Sequence, residues 1–165
     1  MTVRACELSD FIRQVREAVQ PPQEEESDDT AIPETTAVNG GKTVFVHASP
    51  DDFERAHQVA RNLKNRGWGI VLPRYSGDAA KIRKSIERGY QNCQVLLILQ
   101  HRASADVVED YLSDAQIHAR NAPVLICQGE EADELFFIPH GVQTLACNSH
   151  FEDDCLEQFL AEFSA

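Results

Sequence analysis

Two adjacent carboxylates, Glu109 and Asp110, are the side chains in this sequence best placed for acid chemistry. They lie in the first turns of a predicted helix that begins after Ser104 and follows a strongly apolar segment. A carboxylate there can bind a ribose hydroxyl or stabilise a cationic transition state, as acids do in glycoside cleavage. The alternative is structural, because acids early in a helix also interact favourably with its dipole.

Two histidines, His47 and His101, form a second candidate group. Each lies at or beside the carboxyl end of a predicted strand, so both could act on one ligand as acid, base or hydrogen-bond donor. A histidine in such a place is also commonly packed and hydrogen-bonded inside the protein. Ser49, Arg74 and Tyr75 lie in the loops after the first and second predicted strands, and they complete the candidate ligand-binding residues.

Strands and helices alternate from Lys42 onward and must position these side chains. The predicted strands are 43–48, 68–72, 95–100, 123–128 and 142–147, and helix-period segments separate them. This alternation predicts an α/β, flavodoxin-like three-layer fold with a five-stranded parallel sheet in the order 2-1-3-4-5. In that order the carboxyl ends of the first and third strands flank a crevice, where such folds bind ligands.

The segment before this domain has a different composition. Residues 1–20 have the apolar spacing of a short helix, with its apolar side chains at Phe11, Ile12, Val15 and Val19. Residues 21–41 contain six acids and no bases, which predicts an acidic disordered linker. The predicted organisation is therefore a helical segment, a linker and one domain over residues 42–165.

Composition excludes several classes of protein. The 165 residues carry a formal net charge of −12, which argues against nucleic acid as a partner. The longest apolar run, 95–99, is far shorter than the roughly 20 residues that cross a membrane, and no leader pattern opens the sequence, so we expect a cytoplasmic protein. Five cysteines, an odd number without zinc-like spacing, predict reduced thiols and no metal.

Common catalytic and phosphate-binding motifs are also missing from the sequence. There is no GxGxxG, HExxH or GxSxG motif, which removes the usual support for dinucleotide-fold oxidoreductases, zinc proteases and α/β-hydrolases. Receiver domains have an aspartate at the end of the third strand and a lysine at the end of the fifth. This chain has Gln100-His101 and Cys147-Asn148 at those places, so phosphotransfer is not expected.

Charge is distributed unevenly within the domain. Residues 61–88 hold eight bases and two acids, whereas residues 121–165 hold nine acids and neither lysine nor arginine. Surfaces of opposite charge can attract copies of a protein head to tail, so these two regions predict self-association. The alternative interpretation is a pair of solvated helix faces without a partner.

Three segments resemble the Toll/interleukin-1 receptor (TIR) family, in particular its divergent bacterial members. The opening strand and loop read KTVFVHASPDD (42–52), and the loop after the second strand reads LPRYSGD (72–78). The next helix and strand read IRKSIERGYQNCQVLLIL (82–99). The order and spacing of these segments carry the resemblance, which covers residues 42–164.

The resemblance implies a signalling or immune-defence domain that acts by homotypic or heterotypic protein assembly. It also implies NAD as a ligand or substrate, with no cofactor required. The alternative function is an NAD nucleosidase that cleaves the nicotinamide–ribose bond with a carboxylate on the helix after the third strand.

The family's pattern around that carboxylate is Ser-x-Trp-x-x-x-Glu. Ser104 matches the serine, Asp106 stands at the tryptophan position and Asp110 stands at the acid position. Moving the pattern back by one residue brings Glu109 to the acid position, and moving it forward by one brings Tyr111 there. Asp110 and Glu109 are therefore the candidate catalytic residues that the resemblance implies.

Overall fold

The computed structural model describes residues 42–147 together with residues 156, 160 and 161. The strands in this part are β1 (Thr43–His47), β2 (Gly69–Val71), β3 (Val95–Gln100), β4 (Val124–Gln128) and β5 (Val142–Ala146). The helices are α1 (Phe53–Asn65), α2 (Ala79–Asn92) and α3 (Ala105–His118), with a short 3-10 helix at Pro50–Asp52. The predicted segments 1–20 and 21–41 and most of the last predicted helix lie outside the described residues.

The five strands form one parallel sheet in the order β2-β1-β3-β4-β5, which confirms the predicted α/β, flavodoxin-like fold. In β1, Val44 pairs with Ile70 of β2 on one side and with Val95 of β3 on the other. Because β1 and β3 are neighbours whose chains continue in opposite directions across the sheet, their carboxyl ends flank the predicted crevice.

Alternate residues of the central strands face two separate apolar layers. The layer on the α1 side contains Val44, Val46, Leu97, Leu99, Leu125, Ala56, Val59, Leu63, Leu156 and Leu160. The layer on the α2 and α3 side contains Phe45, Leu96, Ile98, Ile126, Tyr90, Val108, Leu112 and Ala115. Burial on both faces explains why β3 is continuously apolar up to Gln100, as expected for a central parallel strand.

The approach of α2 to the sheet depends on a glycine. A Cβ atom at Gly89 would lie 2.6 Å from ring atoms of Phe45, so only the missing side chain allows the helix backbone to pack against that ring. Phe45 is fully buried, and its ring lies edge-on to Tyr90 with centroids 5.3 Å apart. This contact places Tyr90 above the carboxyl half of β1.

One predicted core residue lies elsewhere. The helical pattern places Phe53 in the buried stripe of α1, but Phe53 is 42% exposed. The reason is geometric: α1 begins beyond the carboxyl end of β1, so its first turn has no strand beneath it, and Phe53 packs instead on Tyr75 and His57. Within the described part of the chain, none of the helices has the length and apolarity to cross a membrane.

Candidate functional site

A buried carboxylate organises the loops at the carboxyl end of the sheet. Asp52, which is 1% exposed, accepts hydrogen bonds from the backbone N–H groups of His101 (3.2 Å), Arg102 (2.9 Å) and Ala103 (3.2 Å). The hydroxyl of Ser49 donates to the same carboxylate at 3.4 Å. Asp52 therefore ties the loop after β3 to the loop after β1, through charge-assisted hydrogen bonds that are stronger than neutral ones.

His47 belongs to an aromatic cluster, which we call the His47 cluster and define as Phe45, His47, Tyr90 and Tyr111. The imidazole is 2% exposed and lies nearly parallel to the ring of Tyr111, with centroids 3.8 Å apart. Its Nδ1 atom lies 2.7 Å from the hydroxyl oxygen of Tyr90. His47 is thus a packed, hydrogen-bonded histidine at the end of β1.

The hydrogen bonds of the His47 cluster assign its protons. The hydroxyl of Tyr90 donates to the backbone carbonyl of Tyr111 at 3.2 Å, and a phenol has one proton to donate. The same oxygen therefore accepts from His47, which carries its proton on Nδ1. Burial lowers the pKa of His47 to about 3, so the ring is neutral at physiological pH.

The loop after β2 closes over the loop after β1. The hydroxyl of Tyr75 donates to the backbone carbonyl of Ala48 at 3.1 Å, and burial raises the pKa of this phenol above its usual value. The backbone N–H of Arg74 donates to the hydroxyl of Ser85 at 3.3 Å, which anchors the same loop to α2. Arg74 and Tyr75 are both partly buried at this position.

Glu109 contacts a different part of the molecule. Its Oε1 atom accepts the backbone N–H groups of Phe136 at 2.8 Å and Phe137 at 3.3 Å. Both phenylalanines lie in the segment that connects β4 to β5, and their side chains are 90% and 65% exposed. The Glu109 carboxylate therefore holds a loop that carries two exposed aromatic rings.

Tyr111 is the residue of this part of α3 that faces the end of β1. Successive helical residues are about 100° apart, so Asp110 and Glu109 lie about 100° and 200° away from the direction of Tyr111. Asp110 is exposed. Burial raises the pKa of Tyr111, and the carboxylates of Asp52 and Asp110 raise it further. A phenol, rather than a carboxylate, thus covers His47.

His101 lies against Gly129, the residue that directly follows β4. Its Nδ1 atom is buried and packs directly against Gly129, where a side chain would clash with the ring. Among the residues that the structure describes, none hydrogen-bonds to this nitrogen. Because His47 packs on Tyr111 while His101 packs on Gly129, the two rings have separate surroundings.

Gln100 connects β3 to the acidic loop after β4. This fully buried side chain donates to the backbone carbonyl of Asp133 at 2.9 Å and accepts from the amide of Gln128 at 3.0 Å. No motif marks Gln100, Asp52 or Tyr90 as part of a site. The sequence signals for two of them are weak. Gln100 is a polar residue that ends an apolar strand, and Asp52 is an acid that equally suits the first turn of a helix.

Among the clefts beside α3, two adjoin residues discussed above. One, of about 640 Å³, lies between the start of α3 and residues 133–136. The other, of about 520 Å³, lies between α2 and α3, and we call it the α2–α3 groove; it is lined by Ala79, Ile82, Arg83, Ile86, Glu87, Tyr90, Asp114 and His118. In the described part of the chain, no three histidine, cysteine or acidic side chains are grouped to hold a metal ion.

Of the seven candidate residues from the sequence, the structure joins four, while Arg74 lies beside Tyr75 in the loop after β2 and Asp110 is exposed. Hydrogen bonds and ring contacts bring His47, Ser49, Tyr75 and His101 to the carboxyl ends of the strands, through Tyr111, Asp52 and Ala48. Glu109 is directed to the β4–β5 segment instead. The chain matches no protein-family model, and a search of curated proteins finds no match either.

Proposed function

We propose that this chain is a TIR-like signalling or immune-defence domain that acts by protein assembly, in the first place with copies of itself. The observation that carries the proposal is the separation of charge within the domain: exposed bases flank β2, an edge strand, and exposed acids lie in the loop after β4. With strands about 4.8 Å apart, the three spacings from β2 to β4 amount to about 14 Å.

Basic side chains surround the β2 edge. Arg61 and Lys64 are exposed on α1, which precedes β2, and α2 follows β2 with four more exposed bases: Lys81, Arg83, Lys84 and Arg88. The two helices lie on opposite faces of the sheet, so these bases flank the edge from both sides rather than forming one flat face.

Acidic side chains lie in the loop after β4, which contacts the carboxyl end of β3 and the start of α3. The segment between β4 and β5 exposes four carboxylates: Glu130, Glu131, Asp133 and Glu134. The remaining acids of residues 121–165 lie outside the described residues. Basic side chains at the β2 edge and an acidic loop after β4 on one molecule favour a head-to-tail contact, which leaves one free basic and one free acidic surface and can add further copies.

NAD cleavage is the alternative function, and the positions of the carboxylates favour assembly over it. An oxocarbenium-like transition state needs a carboxylate directed at the crevice. Glu109 is engaged by two backbone N–H groups, and Tyr111 occupies the helix position that faces β1. Among the predicted NAD-binding residues, Arg74, Tyr75 and His101 are partly exposed, whereas His47 and Ser49 are buried, and none of the five supplies a carboxylate.

Sedimentation velocity at low and high salt tests the proposed assembly. Screening lengths fall from about 30 Å at 0.01 M to about 3 Å at 1 M salt, so a contact between oppositely charged surfaces weakens steeply over this range. We expect assemblies at low salt that dissociate at high salt. A monomer at every salt and protein concentration would contradict the proposal.

A nicotinamide-release assay separates the two functions. We expect no nicotinamide from NAD under the low-salt conditions in which the protein assembles. Release that is lost in the Asp110→Ala or Glu109→Ala variant would establish the enzyme instead. Both variants are compared with Glu54→Ala, which removes an exposed carboxylate at the start of α1.

A further inference from the structure

We propose that Cys127 and Cys147 form a binding site for a soft monovalent metal ion, Cu(I), at the carboxyl end of β4 and β5. The site is independent of the proposed assembly function and uses none of its charged side chains. Thiolate sulfur is the kind of ligand that selects Cu(I) in proteins. Because Cu(I) is stable with only two ligands in a line, a pair of neighbouring thiols is sufficient to bind it.

The register of the sheet brings the two cysteines together. Cys127 of β4 pairs with Leu145 of β5. The backbone N–H of Cys147 donates to the carbonyl of Gln128, which continues the ladder by one residue and places Cys147 opposite Gly129. Both cysteine side chains belong to the apolar layer on the α1 side, so they lie on the same face of the sheet. Their spacing in the sequence matches no metal motif, because strand pairing rather than local sequence joins them.

The two thiols are connected by hydrogen bonds. The Cys127 thiol donates to Cys147, and this bond raises the pKa of Cys127 and lowers the pKa of Cys147. The Cys147 thiol donates in turn to the carbonyl of Leu145 at 3.7 Å. Metal–sulfur bonds are about 2.3 Å long, so two of them in line span about 4.6 Å. Thiols at hydrogen-bonding separation need only a small adjustment to bind one ion from opposite sides.

The same placement disfavours a disulfide between these cysteines. They lie on neighbouring strands, about 4.8 Å apart, and are offset by two residues of about 3.3 Å each, which puts their Cα atoms about 8 Å apart. A disulfide spans at most about 7 Å between Cα atoms. The diagonal pair therefore fits a bridging ion better than a direct sulfur–sulfur bond.

Arg55 compensates the charge that binding creates. Each thiol loses its proton to solvent when it binds a metal ion, so Cu(I) between two thiolates has a net charge of −1. The half-buried guanidinium of Arg55 is close enough to lower the pKa of both Cys127 and Cys147. It therefore stabilises the deprotonated, metal-binding form of the pair.

A buried nitrogen lies beside the same residues. The backbone N–H of Gly129 donates to the carbonyl of Gln100, so His101, Gly129 and Cys147 form one row across the sheet. The Nδ1 atom of His101 packs over Gly129 and has no hydrogen-bond partner in the described part of the chain. A buried polar atom without a partner needs an explanation, and a cation bound nearby supplies one.

The number of ligands distinguishes Cu(I) from zinc. Structural zinc sites use four ligands, usually cysteine and histidine. Within residues 42–147 and the three other described positions, no three histidine, cysteine or acidic side chains are grouped around one point. Two sulfur atoms meet the needs of Cu(I) but not those of zinc.

An ion can reach the site from the carboxyl edge of the sheet. Cys147 directly follows β5 and is 8% exposed, whereas Cys127 is 2% exposed. Cys93, at the end of α2, has a different setting: its thiol donates to the carbonyl of Tyr90 at 3.3 Å, and burial raises its pKa to about 11. Cys93 is therefore the matched control for the two proposed ligands.

Anaerobic titration of the full chain with Cu(I), in competition with a chromogenic Cu(I) chelator, tests the site. Cys127→Ala and Cys147→Ser should each weaken Cu(I) binding by about a hundredfold or more. Loss of an outer partner of a metal ligand already costs about 10- to 100-fold in affinity, and here one of two ligands is lost. Zn(II) should bind far more weakly than Cu(I) to the original chain.

Two controls should bind Cu(I) like the original chain. Cys93→Ser removes the third described thiol, and Cys6→Ser/Cys155→Ser removes the two cysteines that lie outside the described residues. Thermal unfolding without metal checks that every variant is folded. Added Cu(I) should raise the Tm of the original chain and of both controls, but not the Tm of the two ligand variants.

Several results would overturn the site. Equal Cu(I) affinity in the original chain, Cys127→Ala and Cys147→Ser would do so, and so would loss of binding in either control. If a ligand variant does not fold, X-ray absorption at the copper edge of the original chain decides: we expect two sulfur ligands, and a copper environment without sulfur would contradict the site. None of these measurements depends on self-association, so the site and the proposed function fail separately.

Discussion

The imidazole of His47 lies face to face with the phenol ring of Tyr111, with their centroids 3.8 Å apart and their planes 28° from parallel. The rotation of α3 that buries Val108, Leu112 and Ala115 against the sheet also produces this stacking. It places Tyr111 over the end of the strand, leaves Asp110 exposed and directs Glu109 toward the β4–β5 segment. The packing of α3 on the sheet thus decides which of its side chains faces the crevice.

Replacing the buried carboxylate of Asp52 should destabilise the protein. In the Asp52→Asn variant an amide NH₂ group faces backbone N–H donors that now lack part of their acceptor. We expect a loss of about 1–3 kcal/mol in the free energy of unfolding, measured by urea denaturation. The control is Asp51→Asn, an exposed neighbour, which should change stability little. Equal effects of the two changes would contradict this role.

His47 should make the stability depend on pH in acid. Its pKa is lowered to about 3 by burial, whereas the unfolded chain has the ordinary value near 6.5. Between these values the unfolded state binds more protons, so stability is lost as pH falls below about 6.5, with a slope approaching about 1.4 kcal/mol per pH unit.

The control for this pH dependence is His47→Gln, whose neutral amide can still donate to Tyr90. Urea denaturation at several pH values between 4 and 7 should show a shallower slope for the variant than for the original chain. Identical slopes would mean that His47 is not protonated on unfolding in this range.

A methyl group at Gly89 should disturb the contact between α2 and β1. The new Cβ in Gly89→Ala would meet the ring of Phe45 at 2.6 Å, and the fully buried ring has little room to move. Overpacking of this kind costs about 1–3 kcal/mol, more than the gain expected for alanine in a helix. Thermal denaturation should show a lower Tm, while Gln91→Ala, at an exposed position of α2, should leave it nearly unchanged.

Removing the Glu109 carboxylate should release the backbone of the β4–β5 segment at Phe136 and Phe137. In Glu109→Ala the N–H groups of Phe136 and Phe137 lose their acceptor, so we expect faster hydrogen exchange at these two amides. Glu109→Gln retains a carbonyl oxygen as acceptor and should exchange more slowly than the alanine variant. Unchanged exchange in Glu109→Ala would show that the carboxylate does not hold the segment.

The arrangement of elements followed from local patterns in the sequence. The apolar run of β3 is bounded by Gln94 and Gln100, and the predicted limits of the strand, 95–100, agree with the structure. Alternation of such strands with helices, together with the handedness of parallel crossovers, leaves few ways to order five strands. The order 2-1-3-4-5 was therefore predictable, because it depends on periodicity and chain length more than on any single contact.

Only the tertiary structure decided what the site side chains do. A helical pattern locates α3 but leaves its rotation to packing, so Tyr111, rather than Asp110 or Glu109, came to face His47. The bonds of Asp52 join groups about fifty positions apart in the chain, and no local pattern encodes them. Composition and spacing determined the fold of this protein, whereas long-range packing and hydrogen bonding determined the surroundings of each candidate residue.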